Sequence, residues 1–268
     1  MFTATKSADP KLCSLDEDPV LWPTYQNVTS SFNEITSLAN TGDFVYIHYS
    51  GHGNRTQFEP HNEFSNRSTG DLALILLDGE KENHVRPLWG SRLAIALKAM
   101  VDKGLVVTLV LDCCFSATVY RGDNPTVRFL PYSAKIDTKY QLSSEKSLGD
   151  GADRLANRDA SMLPNWLINP DGYAILIACG LNEFAKEYTE DEQSYGLLSY
   201  FLLRTFIECS GIRKRHKDVY HQLCARFRES WPQQKPILYG NKDQGFFGHP
   251  HSEVDIAPIS IVERDGSL

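Results

Sequence analysis

Nowhere does this 268-residue chain hold the eighteen or so consecutive apolar residues that a membrane helix needs. Its apolar runs at 72–77, 105–111 and 173–179 are far shorter. Residues 1–20 carry Lys6, Lys11, Asp16, Glu17 and Asp18 and no apolar core, so no secretory leader is expected. Cysteine is scarce: Cys13, Cys113, Cys114, Cys179, Cys209 and Cys224 are too few for a disulfide scaffold and show no Cys-x-x-Cys spacing. They read as thiols of a reducing compartment, which makes a cytoplasmic location the expectation and leaves the sequons at Asn27, Asn54 and Asn66 unused. No His and Cys stand at zinc spacing, so no metal site is expected. Basic charge is also short, with 27 Lys and Arg against 34 Asp and Glu, a net charge of -7 and a pI near 5.6. That balance argues against nucleic-acid partners, which require clustered cations. The one basic run, Arg213 to Lys217, reads as a solvated turn. The Gly-x-Ser-x-Gly elbow of an α/β-hydrolase is missing.

What is present is a packed globule. Hydrophobic residues make up 41% of the chain and aromatics 11%, and nothing divides it into two units. Leu105-Val-Val-Thr-Leu-Val-Leu111 is a nearly uninterrupted run of strand formers that stops at Asp112, Cys113 and Cys114. A strand buried on both faces looks like this when it delivers polar groups to the end of a parallel sheet. Upstream, Asp43-Phe-Val-Tyr-Ile-His-Tyr-Ser-Gly-His-Gly53 is a second strand, and it runs into a glycine-flanked histidine. A thiol and a distant imidazole at two strand ends form the pattern of a cysteine nucleophile and its base.

Helical spacing of Val28, Phe32, Ile35 and Ala39 predicts an amphipathic helix over 24–40, ahead of a strand from Phe44 to Tyr49. A polar stretch, 54–70, precedes a strand at 72–77 and a turn at Asp78-Gly79. Ser91 is suited to cap a helix that Gly104 ends. Beyond Ala117 the pattern dissolves until Pro170, a length at which a loop in a compact domain is functional or disordered. A strand at 173–179, helices at about 197–208 and 218–230, and a short strand at 236–239 complete the domain. Strand and helix alternating in this way call for a parallel, doubly wound α/β sheet.

Tyr49-Ser-Gly-His-Gly53 resembles the histidine motif of caspases and metacaspases, and Asp112-Cys-Cys-Phe-Ser116 resembles the metacaspase Asp-x-Cys-x-Ser motif. The likeness covers roughly residues 10–248 and is nearest to fungal caspase-like proteins; in this order the two motifs are specific as a pair. It implies a caspase-like, mostly parallel sheet with helices on both faces. In that fold 24–116 is the large-subunit-like part, 117–170 a long linker, 171–248 the small-subunit-like part and 249–268 a tail. The family fold opens with a central strand and helix, and residues 1–22 hold no run suited to them, so both are expected to be absent here.

The resemblance also implies a cysteine endopeptidase acting on protein or peptide substrates, with no nucleic acid or membrane involved. Cys114 is the expected nucleophile, His52 the general acid and base, and the backbone N–H groups of Gly53 and Cys114 the oxyanion hole. The motif selects Cys114 because it stands two residues after the aspartate. Neighbouring strand side chains point to opposite faces, so Cys113 should pack in the core while Asp112 and Cys114 share a face. His48, lacking flanking glycines, reads as a satisfied structural histidine. By resemblance, Asp112 and Glu187 line a pocket for the residue before the cut, and two carboxylates there favour Arg or Lys. The linker is rich in Arg and Lys and offers such an enzyme sites for self-cleavage. The chain departs from the family motif at Ala117, where glycine is usual, and at Phe115, where histidine is frequent. No cofactor is expected; Asp71 and Asp78 are too few to predict a calcium site. The alternative reading is a catalytically dead or incomplete caspase-like binding module.

Overall fold

The computed structural model describes residues 1–5, 15–55, 72–79, 84–115, 167, 170–180, 183–190, 193–208 and 214–248. The linker expected at 117–170 therefore lies, apart from Leu167 and Pro170, outside the described residues, as do the tail 249–268 and Asp71.

Among the described residues four strands form the main sheet: β1 (Phe44–Ser50), β5 (Val106–Asp112), β6 (Tyr173–Ile177) and β9 (Ile237–Gly240), in the order β1-β5-β6-β9. The first three run parallel and β9 is antiparallel to β6. Among the described residues no strand precedes β1. Among the described residues four α-helices accompany the sheet: α1 (Tyr25–Leu38), α2 (Gly90–Asp102), α3 (Leu197–Glu208) and α4 (His216–Ser230).

Alternation along β5 and β6 divides the interior into two cores. Val107, Leu109, Leu111, Ile175 and Ile177 pack with Phe32 of α1 and with Leu93, Leu97 and Met100 of α2. Val110 and Leu176 instead join Leu198 and Phe201 of α3 with Leu223 and Phe227 of α4. Helices thus cover both faces, which is the doubly wound architecture expected. It also explains why β5 reads as a continuous apolar run, since each face needs side chains that water never reaches. Leu109 and Leu111 are fully buried, and truncating either to alanine should cost roughly 2–5 kcal/mol.

Of the strands in the smaller sheets, only β3 was legible from the sequence, at the predicted 72–77. β2 (Gly53–Arg55), β3 (Leu72–Leu77) and β4 (Val85–Trp89) make an antiparallel sheet, of which only β3 has the composition of a strand. Pro87 is tolerated because β4 lies at an edge of that sheet. β7 (Glu187–Glu190) and β8 (Gln193–Gly196) pair as a polar two-stranded ribbon.

Three local readings are corrected. Ser91 does not cap α2: the helix follows β4 without a break, Trp89 stands at the cap without a side-chain bond, and Ser91 lies inside the first turn. Helix α4 begins at His216, two residues earlier than its periodicity indicates. The basic run is therefore not a free turn. Arg215 pairs with Asp218, Lys217 pairs with Asp243, and His216 is fully buried. Two sequons are engaged in the fold: the Asn27 amide donates to the carbonyls of Pro19, Val20 and Trp22, and Asn54 is buried.

Candidate active site

Parallel pairing of β1 with β5 sets Ser50 opposite Asp112, and the Gly51 N–H continues the ladder by donating to the Asp112 carbonyl at 3.2 Å. The chain after each strand then leaves the same end of the sheet. His52 and Gly53 follow from β1, and Cys113 and Cys114 from β5.

Both glycines of the histidine motif answer to close approaches. At Gly51 a Cβ would stand 2.7 Å from the Tyr49 hydroxyl oxygen. That hydroxyl lies 2.7 Å from the His52 carbonyl and 2.8 Å from the Ile75 carbonyl, so its one hydrogen serves either, and it accepts from the Ile75 N–H at 3.1 Å. The Ile75 N–H also reaches the His52 carbonyl at 3.1 Å. Tyr49 and β3 together pin the backbone of His52, whose side chain is exposed. At Gly53 a Cβ would stand 3.1 Å from the Cys114 carbonyl carbon, closer still to its oxygen, and 3.0 Å from Cδ1 of Phe115. Gly53 and Cys114 are therefore backbone neighbours, and only glycine permits it.

The two adjacent cysteines belong to different cores. Cys113 packs on the α1/α2 side with Leu111, whereas Cys114 lies on the α3/α4 side with Val110, Ala178 and Cys179. Both are buried, Cys113 at 2% exposure and Cys114 at 0%. Cys179, at the end of the neighbouring strand, donates its thiol to the Glu183 carbonyl at 3.4 Å. Burial pushes its thiol well up, and the negative charge that Cys114 would carry as a thiolate pushes the same way. Cys179 thus stays a neutral thiol beside Cys114.

Asp112 is fully buried and reaches across to α3. One carboxylate oxygen accepts from both the N–H of Ser199, at 2.8 Å, and its hydroxyl, at 2.7 Å. The N–H groups of a helix's first turn have no partner within the helix, so Asp112 of β5 satisfies one of them from outside. The Ser199 hydroxyl also lies 2.8 Å from Nε2 of His48, whose Nδ1 is 2.8 Å from the Tyr46 hydroxyl. His48 is thus bonded at both ring nitrogens, as a structural histidine should be.

Glu187 opens β7, half-exposed and opposite Gly196 of β8. Its approach is fixed by Gln234, which donates to the Ala178 carbonyl at 3.1 Å and accepts from the Lys186 N–H at 3.0 Å. Strand β8 runs directly into α3, and the Leu197 N–H donates to the Lys186 carbonyl at 3.0 Å. The β8–α3 junction therefore touches both acids, Glu187 through strand pairing and Asp112 through Ser199. Sequence reasoning missed Ser199 altogether. A serine at the third position of an apolar helix is a weak signal, and its partner lies 87 residues away.

Among the described residues no group of three His, Cys, Asp or Glu side chains is arranged to hold a metal ion. No helix among them is long and apolar enough to cross a membrane.

Part of the chain is similar to known proteins. Residues 6–122 match the family described as Metacaspase, peptidase C14 domain. Metacaspase III c of Phaeodactylum tricornutum is 25% identical over 126 residues, covering 47% of this chain and 34% of its own length. Metacaspase-2 of Arabidopsis thaliana is 26% identical over 144 residues, covering 48% of this chain and 28% of its own. The match thus spans about a third of these relatives. The crystal structure of protein GSU0716 from Geobacter sulfurreducens shares the fold, with a TM-score of 0.53 at 16% identity over 87% of this chain and 80% of that one. The matched segment holds both the histidine strand and the cysteine strand, and over that segment the chain is similar to metacaspases.

Proposed function

We propose that the chain is a cysteine endopeptidase that cuts after Arg or Lys. The observation that carries this reading is the contact of the Gly53 backbone with the carbonyl group of Cys114 across the β1–β5 register. It joins the residue after His52 to the cysteine, at the C-terminal end of a parallel sheet where α/β proteins keep their sites. Cys114 Sγ attacks the scissile carbonyl carbon while its proton passes to His52. The N–H groups of Gly53 and Cys114 stabilise the oxyanion. His52 then gives the proton to the leaving amine as the C–N bond breaks. Water, deprotonated by His52, hydrolyses the thioester and restores the thiol.

Asp112 and Glu187 form the acidic subsite in this reading. Two carboxylates joined to one junction favour a cationic side chain and disfavour an aspartate, whose charge would be buried without a partner. A second reading, a caspase-like binding module without turnover, is favoured by the burial of Cys114, since a substrate carbonyl reaches its sulfur only after part of the cover shifts.

Fluorogenic peptides ending in Arg, Lys, Asp or Asn, assayed with wild type beside Cys114→Ala, separate the two. Cleavage after Arg or Lys that disappears in the variant is the expected outcome. A folded protein that cleaves none of them, with or without added calcium, overturns the peptidase reading in favour of the binding module.

A further inference from the structure

Asp112 is the acid of the subsite that the fold constrains most tightly, and its constraint comes from residues outside the motifs. As a carboxylate it only accepts, so the Ser199 hydroxyl, 2.7 Å away, spends its single hydrogen on Asp112. The 2.8 Å contact of that same oxygen with His48 must then be received from a protonated Nε2. With Nε2 as the donor, the neutral tautomer of His48 is the one that accepts at Nδ1 from Tyr46. Burial pushes the Tyr46 hydroxyl up, so Tyr46 remains a donor. The hydrogens thus run in one direction, from Tyr46 to His48 to Ser199 to Asp112, and link β1, α3 and β5.

We propose that Ser199 and His48 are positioning residues for substrate selection: they lock the Asp112 carboxylate in one orientation, and that orientation sets the preference for a cationic residue before the cut. Neither touches substrate. Ser199 acts through the two bonds to Asp112, one from its hydroxyl and one from its N–H. His48 acts at one remove, by occupying a lone pair of the Ser199 oxygen and so aiming the hydroxyl hydrogen at Asp112. A carboxylate already held in place loses no further freedom when a guanidinium arrives, and the selectivity comes from that preorganisation. The inference rests on the acidic-subsite reading of Asp112 and does not require turnover.

The test is calorimetric binding to the full chain carrying Cys114→Ala, using two peptide amides that differ only in ending with arginine or with its neutral isostere citrulline. The parent should prefer arginine by about tenfold or more, as charge-assisted bonds do. Adding Ser199→Ala should erase most of that preference, a loss of about tenfold, and Ser199→Thr should restore it. His48→Phe, which keeps a ring but removes the donor, should lower it by about threefold. Citrulline binding should stay level throughout, which a general loss of structure would not allow. An arginine preference that survives both Ser199→Ala and His48→Phe overturns the clamp and leaves the acidic subsite standing. A parent without preference overturns both. A preference that follows Ser199 in a protein whose wild type cleaves nothing upholds the clamp and overturns the peptidase reading. Should Ser199→Ala fail to fold, His48→Phe decides, and an unchanged ratio there overturns the proposal.

Discussion

The backbone of Gly53 lies against the carbonyl group of Cys114, whose carbon is 3.1 Å from where a side chain at position 53 would begin. Replacing Gly53 with alanine forces two backbone segments apart, because the obstacle is main chain and cannot rotate away. We expect Gly53→Ala to cost about 1–3 kcal/mol of stability by overpacking and to slow labelling of Cys114 by a thiol-directed peptide probe at least about tenfold. Gly51→Ala meets only the end of the Tyr49 ring, so its loss should be the smaller of the two. Denaturant titration and probe kinetics on the two variants check the order; equal effects would remove the special standing of Gly53.

Tyr49→Phe deletes the hydroxyl that ties His52 and Ile75 together while leaving the ring. Loss of a part-buried hydroxyl with three backbone neighbours should cost roughly 1–2 kcal/mol. Amide exchange should quicken at Ile75 before the rest of β3. Unaltered exchange there would mean that strand pairing alone holds the histidine loop.

His216 supplies a pH dependence whose sign is fixed. Burial lowers its pKa from 6.5 to about 4, so the unfolded chain binds this proton more readily than the folded one. Its contribution to stability is complete above pH 6.5, is lost as pH falls toward 4, and changes no further below that. A shift of that size corresponds to about 3 kcal/mol. Its hydrogen bond to Thr108, at 2.9 Å, and its packing on Phe246 make His216→Gln a destabilising change at neutral pH. The gap between wild type and variant, read from urea melts, should narrow from pH 7 to pH 4.5. A gap that stays constant across that window would show that His216 is not buried neutral.

Native-state alkylation should follow burial. Cys224 is the one described cysteine that is not fully buried, and it should react with iodoacetamide ahead of Cys113 and Cys179. Cys114 should resist the small reagent yet react with a peptide chloromethylketone ending in arginine, if substrate binding opens its cover. Mass mapping distinguishes the cases, and resistance to both reagents would favour the binding-module reading.

The parts of this fold that were legible in the sequence are those where composition and position agree. The stretch at 105–111 is apolar because both its faces are covered, and the helix at 25–38 shows its stripe because one face meets the core. The opposite packing of Cys113 and Cys114 followed from strand alternation alone. What escaped notice depends on partners distant in sequence. Glu187-Tyr-Thr-Glu190 is polar enough to pass for a loop and is a strand only because 193–196 returns beside it. His216 sits amid basic residues and becomes interior because Thr108 and Phe246 close over it. Within the candidate site, the motifs bring His52, Gly53, Asp112 and Cys114 into view, while the Ser199 clamp is a contact between two elements 87 residues apart that no local pattern announces.

The division of β5 between two cores makes the site a matter of phase. Val110, Asp112 and Cys114 occupy one side of the sheet, and Leu109, Leu111 and Cys113 the other. Sliding β5 by a single residue against β1 would keep every hydrogen-bonding strand and change no residue, yet it would turn Asp112 into the α1/α2 core and hand its place to a neighbour without a carboxylate. An insertion or deletion of one residue between Gly104 and Asp112 is thus equivalent to deleting the proposed nucleophile and its acidic neighbour together. Substitutions on either side of this strand are tolerated or not according to packing, but in the proposed peptidase its length is held by the chemistry at its end.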